Sequence, residues 1–133
     1  MSCFDKQHIG KLGEEIASNF LKTRGYSILE KNLSTPFGEI DLISKKDNIL
    51  VFFEVKTRRS ERFGPVLSAI TEKKKGNIIR NCLYYIKRYN LSDQLCRIDA
   101  IGIKLNANGK LEVLRHVKNA IEVGNIHKRR PPC

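Results

Sequence analysis

Two acidic residues and one lysine, set within two short apolar segments, are the strongest candidates for chemistry in this sequence. Asp41 lies in the first segment and Glu54 in the second, with Lys56 two residues beyond Glu54. If the segments are strands of one antiparallel hairpin whose loop is centred on Asp47 and Asn48, residues whose numbers sum to 95 face each other. In that register Asp41 faces Glu54.

Two directly opposed carboxylates repel each other, because paired β-carbons in a sheet are only about 4.5–5.5 Å apart. A divalent cation removes the repulsion, since Mg²⁺ is bound by one or two carboxylates together with water and phosphate oxygens. Lys56 would then lie where it can steer or deprotonate a water molecule, or stabilise charge on a phosphate. The alternative is a solvated surface on which Glu54 and Lys56 neutralise each other. The apolar residues preceding Glu54 favour the metal site, and Mg²⁺ or Mn²⁺ is the predicted cofactor.

A third carboxylate is contributed by the first predicted helix. Glu14 lies at the edge of the apolar stripe of this helix, whereas Glu15 faces outward beside Lys11. Glu14 is either a favourable charge in an early helical turn or an acidic group that overhangs one face of the sheet. The register that opposes Asp41 and Glu54 also places Glu39 opposite Lys56, so Glu39 is a possible accessory residue.

The hydrophobic periodicity supplies the elements that must position these side chains. It predicts a helix at 9–24, strands at 26–33, 39–44 and 49–57, a helix from about 72 to 89, and strands at 97–105 and 110–117. The order α-β-β-β-α-β-β predicts an α/β fold with a central mixed sheet flanked by helices. The third strand begins with apolar residues on both faces, which is typical of a central strand covered on both sides.

The composition indicates one compact domain with a strong positive charge. The chain has 133 residues, of which 25 are Lys or Arg and 14 are Asp or Glu, giving a net charge of +11. We expect a single domain over 1–123 and a basic, flexible tail over 124–133. The longest apolar run is far too short to span a bilayer, and the first residues have no signal-peptide core. A soluble, cytoplasmic protein with no membrane contact is predicted.

The cysteines and histidines do not form a recognisable site. Their spacing contains no C-x-x-C and supports neither a zinc site nor a Cys-His nucleophile. Free thiols are the expectation in a chain of this kind. The four cysteines are Cys3, Cys82, Cys96 and Cys133, and the three histidines are His8, His116 and His127.

Clusters of basic residues indicate a nucleic-acid partner, with DNA the expected one. Lys73, Lys74 and Lys75 stand at the start of the second predicted helix, where cations oppose the helix dipole unless a phosphate binds there. Three arginines follow the proposed catalytic strand and are expected to flank the same cleft. They are Arg58, Arg59 and Arg62.

Four segments together resemble the signature of the YraN family of small bacterial endonuclease-like proteins. They are Gly13-Glu14-x-x-Ala17, Gly38-Glu39-Ile40-Asp41-Leu42-Ile43, Phe52-Phe53-Glu54-Val55-Lys56-Thr57-Arg58 and Phe63-Gly64. The resemblance covers roughly residues 9–122. That family is similar to the PD-(D/E)XK nucleases and to archaeal Holliday junction resolvases, which implies a restriction-endonuclease-like fold.

The resemblance assigns roles residue by residue. It implies that Asp41, Glu54 and Lys56 form the nuclease triad, that the Val55 carbonyl completes the metal ligands, and that Glu14 is the acidic residue of the first helix. Glu39 belongs to the YraN pattern rather than to the wider nuclease pattern. Two further positions also match the family. They are Lys74, at its basic position, and Arg97-x-Asp99, where Ile98 replaces the usual Phe.

The expected function is therefore metal-dependent hydrolysis of phosphodiester bonds in DNA by an endonuclease. The sequence leaves open a selectivity for branched or junction DNA, a role in repair or recombination, and a homodimer. The alternative is a catalytically silent nucleic-acid-binding module that keeps the same fold.

Overall fold

The structure is a computed structural model that describes residues 6–59 and 70–122. Its element order is the predicted α-β-β-β-α-β-β. The elements are α1 (Lys6–Thr23), β1 (Ser27–Thr35), β2 (Gly38–Lys46), β3 (Ile49–Arg58), α2 (Glu72–Arg88), β4 (Cys96–Leu105) and β5 (Leu111–Ile121). The predicted tail at 124–133 lies outside the described residues, as does Arg62.

The five strands form one mixed sheet in the order β1-β2-β3-β4-β5. All neighbours are antiparallel except β3 and β4, which are parallel and are connected through α2. The central strand β3 is apolar on both faces, as predicted: Phe53 packs in the cluster under α1 with Leu21, and Phe52 packs in the cluster under α2 with Ile86. In the part of the chain that the structure describes, no helix is long and apolar enough to cross a membrane.

The hairpin of β2 and β3 has the register that the sequence predicts. Paired residue numbers sum to 95 from Lys46 and Ile49 at the turn to Leu42 and Phe53. The turn residues Asp47 and Asn48 have positive φ angles of 50° and 64°, the backbone conformation of a tight hairpin turn whose twist matches the strands. This register fixes which side chains of the two strands come together.

Helix α1 approaches β3 so closely that one position on it must be glycine. A Cβ atom built at Gly13 would lie 1.9 Å from Thr57 Oγ1 and 2.9 Å from Thr57 Cβ. The contact brings the next residue, Glu14, onto the sheet near the end of the β2–β3 hairpin. The Gly13-Glu14 pair of the sequence motif thus has a packing reason.

We expect the substitution Gly13→Ala to destabilise the protein by about 1–3 kcal/mol, because the helix must move away from β3. Gly10 on the same helix is the matched control, since a Cβ atom there meets nothing within 4 Å. Gly10→Ala should be neutral or stabilising by up to about 1 kcal/mol through helix propensity. Chemical denaturation of both variants tests this, and equal effects would contradict the close-packing explanation.

A buried ion network joins β4 and β5 to Tyr26, the residue before β1, on the α1 side of the sheet. Asp99 is fully buried, and its carboxylate accepts hydrogen bonds from Arg97 Nε at 2.8 Å and Nη2 at 2.9 Å. His116 Nε2 lies 2.7 Å from Asp99 Oδ2, and the Asn119 N–H donates to Oδ1 at 2.8 Å. Arg97 Nη2 also donates to the Tyr26 hydroxyl at 2.9 Å. The Arg97-x-Asp99 motif and His116 therefore have a structural role.

Neither cysteine within the described residues takes part in a disulfide. Cys82 and Cys96 are both buried in the α2 side of the core, while Cys3 and Cys133 lie outside the described residues. Burial raises the pKa of the Cys82 thiol well above its ordinary value, so this thiol behaves as a small apolar side chain.

Candidate active site

The candidate site lies where β2 and β3 stop pairing. The paired register ends at Leu42 and Phe53, and beyond that point the Asp41 side chain takes the place of a backbone partner. Its Oδ2 accepts a hydrogen bond from the Val55 N–H at 2.7 Å. Strand β2 is irregular here: Ile40 packs in the α2 cluster and Leu42 in the α1 cluster although they are only two residues apart.

The surroundings of the Asp41 carboxyl disfavour its ionised form. Burial and the nearby Glu54 charge raise the pKa of Asp41 to about 8, and the Val55 N–H and Lys56 oppose this shift only in part. A raised pKa of this size is typical of carboxyl groups that share one site. The charges of Asp41 and Glu54 therefore interact, although the paired register stops one residue short of the predicted Asp41–Glu54 pair.

Glu54 and Lys56 form an ion pair beside Asp41. Lys56 Nζ lies 3.4 Å from Glu54 Oε1, and the two side chains are 24% and 18% exposed, respectively. Burial raises the pKa of Glu54, and the charges of Lys56 and Lys74 oppose the rise. The ion pair with Lys56 therefore supplies less positive charge than the carboxylates of this site would carry as negative charge.

Glu14 reaches the same point from α1. Asn32 of β1 and the Asp41 side chain both act to lower the pKa of Glu14, so both lie near its carboxyl group. Burial raises the pKa of Glu14, as do the charges of Glu39 and Glu54. The structure therefore brings together the carboxyl groups of Glu14, Asp41 and Glu54.

Asn32 and Asn81 contribute to the site but were missed by the sequence reasoning. Asn32 has a φ of 50° within β1, a left-handed conformation that asparagine tolerates better than most residues. Asn81 is buried on α2, and its Nδ2 donates to the Glu39 carbonyl oxygen at 3.3 Å. A buried polar residue on the apolar face of a helix was the available signal for Asn81.

Glu39 and Arg59 have contacts that the sequence did not indicate. The predicted register places Glu39 opposite Lys56, but the pairing of β2 with β3 ends at Leu42 and Phe53, and Lys56 forms its ion pair with Glu54. Arg59 Nη2 donates to the Ala107 carbonyl at 3.2 Å, in the turn between β4 and β5. An arginine side chain is long enough to follow the neighbouring strand, so this contact could not be read from its place in the sequence, and a contact of Arg59 with nucleic acid stays a prediction.

The remaining predicted basic residues lie on the surface around the start of α2 and the end of β3. Lys74 is close enough to lower the pKa of Glu54, and Lys75 Nζ lies 3.2 Å from Glu72 Oε1. Lys73 and Arg58 are exposed. The acidic Glu72 offsets part of the unfavourable interaction between the lysines and the helix dipole.

The donor set fits a hard divalent cation that keeps much of its water. Asp41 uses Oδ2 for the Val55 N–H, and its ionisation is opposed by Glu54, a repulsion that a cation would relieve. No group of three or more His, Cys, Asp or Glu side chains within the described ranges is already spaced to enclose a metal ion. Two carboxylates, a carbonyl and water are instead the ligands that Mg²⁺ prefers.

The raised pKa of Asp41 predicts a pH-dependent stability in the absence of metal. Because the native state favours the protonated form up to about pH 8, the free energy of unfolding falls as pH rises above the ordinary range of an aspartate, about 3.9. Asp41→Asn removes this ionisation. In chelator, raising the pH from 5 to 8 should lower the free energy of unfolding of the wild type by at least about 1 kcal/mol more than that of Asp41→Asn.

Chemical denaturation at several pH values measures this difference, and adding Mg²⁺ or Mn²⁺ should stabilise the wild type more than Asp41→Asn. A difference that does not depend on pH would contradict the assignment.

The chain has relatives among known proteins. A family model described as "Uncharacterised protein family UPF0102" matches residues 13–103. A UPF0102 protein from Caldicellulosiruptor saccharolyticus is 38% identical over 116 residues, covering 87% of this chain and 98% of the relative. A second, from Syntrophomonas wolfei, is 40% identical over 114 residues, covering 86% and 97%.

The chain belongs to UPF0102, the YraN family. The family model matches a range that contains Lys56 and every carboxylate of the candidate site in this YraN-family protein. Among solved structures, SfsA from Pyrococcus furiosus in complex with Ca²⁺ is similar at 14% identity and a TM-score of 0.42. That likeness covers 86% of the YraN-family chain and 64% of the SfsA chain.

Proposed function

We propose that this protein is an endonuclease that hydrolyses phosphodiester bonds in DNA with Mg²⁺ or Mn²⁺. The observation that carries the proposal is the convergence of Asp41 and Glu54 at the point where β2 and β3 separate, with Lys56 Nζ 3.4 Å from Glu54. Half-buried carboxylates with opposed ionisation are a costly arrangement for a surface without function.

In the proposed mechanism, Asp41 and Glu54 would hold the metal ion together with the Val55 carbonyl. When bound, the ion would supply positive charge to the phosphate and lower the pKa of a water molecule. The Val55 N–H fixes the Asp41 carboxylate at 2.7 Å, so that this ligand is preorganised. Glu14, which lies near Asp41, would complete the acidic cluster.

Lys56 acts on the reacting groups. Its ammonium lies beside Glu54, where it can orient the attacking water and neutralise charge that develops on the phosphate oxygens. Water attacks phosphorus and loses a proton to solvent, the bond from phosphorus to one bridging oxygen breaks, and the leaving oxygen takes up a proton from solvent. The nucleophile is water, so the reaction needs no nucleophilic side chain.

The decisive experiment is a cleavage assay with single-stranded, duplex, flapped and four-way-junction DNA, in Mg²⁺, in Mn²⁺ and in chelator. We expect cutting that requires the metal and stops in chelator. Binding without cutting under every metal condition would overturn the enzymatic proposal and favour the alternative, a nucleic-acid-binding module with the same fold.

Lys74 is predicted to bind a DNA phosphate near the start of α2. We expect Lys74→Gln to weaken binding about equally across sequences and to lower the salt dependence by roughly one counterion. Stability should be unchanged or slightly higher, because the lysine side chain opposes the helix dipole, whereas the bond from the Lys74 N–H to Thr71 Oγ1 remains.

Lys87→Gln at the other end of α2 is the matched control, since that lysine is favourable at the helix C-terminus and distant from the carboxylates in sequence. Unaltered DNA affinity of Lys74→Gln, combined with a loss of stability, would show that Lys74 is structural.

A further inference from the structure

The turn between β1 and β2 presents an aromatic side chain to solvent. Phe37 is 51% exposed, in a chain with only 8% aromatic residues. An exposed phenylalanine is unremarkable when it is isolated on a mobile surface. Phe37 differs because the turn that carries it is tied to helix α2 and leads directly into the candidate active site.

The turn is anchored through Asn81. The Phe37 N–H donates to Thr35 Oγ1 at 3.0 Å, and the same hydroxyl donates to Asn81 Oδ1. Asn81 Nδ2 in turn donates to the Glu39 carbonyl oxygen at 3.3 Å. Gly38 completes the turn with a φ of +138°, which a residue with a side chain rarely adopts. The backbone on both sides of Phe37 is therefore held in place before any ligand binds.

The anchored turn borders the carboxylates. Glu39, two residues beyond Phe37, lines one small cavity together with Glu54 and Asn81. The charge of Glu39 also raises the pKa of Glu14. A polymer whose phosphate lies at Asp41 and Glu54 would consequently pass close to the exposed ring of Phe37.

We propose that Phe37 stacks on an unpaired nucleobase next to the phosphate being cut. This inference rests on the proposed nuclease function and deepens it by naming the substrate class: DNA with unpaired bases, as in single strands, flaps and open junctions. Aromatic side chains bind single-stranded nucleic acid by stacking, while bases inside a duplex are already stacked on each other. A preorganised ring loses little freedom on binding, and the net charge of +11 supplies the attraction for the backbone.

A fluorescent reporter tests this contact directly, because the sequence contains no tryptophan. In Phe37→Trp, binding of single-stranded DNA in chelator should quench the tryptophan emission and duplex DNA should quench it much less. Tyr89→Trp is the matched control, since Tyr89 is also 51% exposed but lies at the C-terminal end of α2. Equal quenching at both positions would overturn the proposal.

Affinity gives the second test. We expect Phe37→Ala to weaken binding of single-stranded and flapped DNA by about 5- to 150-fold, with duplex binding changed by less than about threefold. An equal loss for all DNA forms, or no loss, would overturn the stacking role. A change in oligomeric state without a change in DNA preference would instead make Phe37 a contact between copies of the chain, which also overturns it.

The two proposals fail in different ways. If the wild type cuts DNA in Mg²⁺ but Phe37→Ala keeps the same preference among DNA forms, only the stacking inference is wrong. If Phe37→Trp is quenched by single strands but no metal supports cutting, only the nuclease proposal is wrong. If the wild type binds no DNA at all, both are wrong.

Discussion

Replacing Glu54 with glutamine is expected to lower metal-dependent DNA cleavage by at least about 10³-fold, because a metal ligand contributes several kcal/mol to stabilising the charged transition state. The substitution keeps the shape of the side chain and removes its charge, so the fold should persist. DNA binding should be retained or strengthened, since a negative charge near the phosphate is lost. Initial rates under single-turnover conditions, together with binding in chelator, measure both quantities.

Glu15→Gln is the matched control for this prediction. Glu15 is exposed on α1, next to Glu14 in sequence but facing away from the carboxylates. Its replacement changes the net charge by the same amount and should leave cleavage unchanged. Full activity in Glu54→Gln would show that Glu54 holds no essential metal and would withdraw the proposed mechanism.

The second large effect concerns stability. We expect Asp99→Ala to lower the free energy of unfolding by about 3–5 kcal/mol, because removing one partner of a buried ion pair leaves the others uncompensated. Arg97, His116 and the Asn119 N–H all donate to this carboxylate, which is fully buried. Denaturant unfolding measures the loss, and Asp93→Ala is the control because Asp93 is exposed. A loss below about 1 kcal/mol would contradict the network's importance.

The same network predicts an acid dependence opposite to that of Asp41. Burial alone would raise the pKa of Asp99, but the hydrogen bonds from His116, Arg97 and the Asn119 N–H outweigh it and lower the pKa overall. A carboxylate with a lowered pKa contributes stability above its unfolded value, about 3.9, and that contribution disappears as pH falls through the native value. The wild type should therefore lose stability below about pH 4 more steeply than Asp99→Asn.

The sequence predicted the centre of the candidate site well because its geometry is local. Asp41 and Glu54 lie in one hairpin, and a hairpin's register follows from the turn and the alternation of side chains. The rule that residues two apart share a face fails between Ile40 and Leu42. Which face such a residue takes depends on how both helices pack, which no local pattern records.

The parts that were missed depend on long-range contacts. Arg97 reaches Tyr26 across 71 positions, and Asn81 reaches Glu39 across 42. Neither pair is suggested by spacing, because the partners meet only when the sheet is assembled. The contact of Arg59 with Ala107 was missed for the same reason, since the two residues are 48 positions apart. The pattern of helices and strands predicts the path of the backbone. A long polar side chain can contact any of several neighbours, and the pattern does not predict which.

The parallel pairing of β3 with β4 has a consequence for the order of folding. The β2–β3 hairpin closes a short loop, whereas β4 can join β3 only after α2 has crossed the sheet, and long-range pairing of this kind forms slowly. Asp41 and Glu54 are therefore brought together by contacts that close early. Early in folding the chain carries the electrostatic penalty of its candidate site, so a divalent cation should accelerate refolding as well as stabilise the native state.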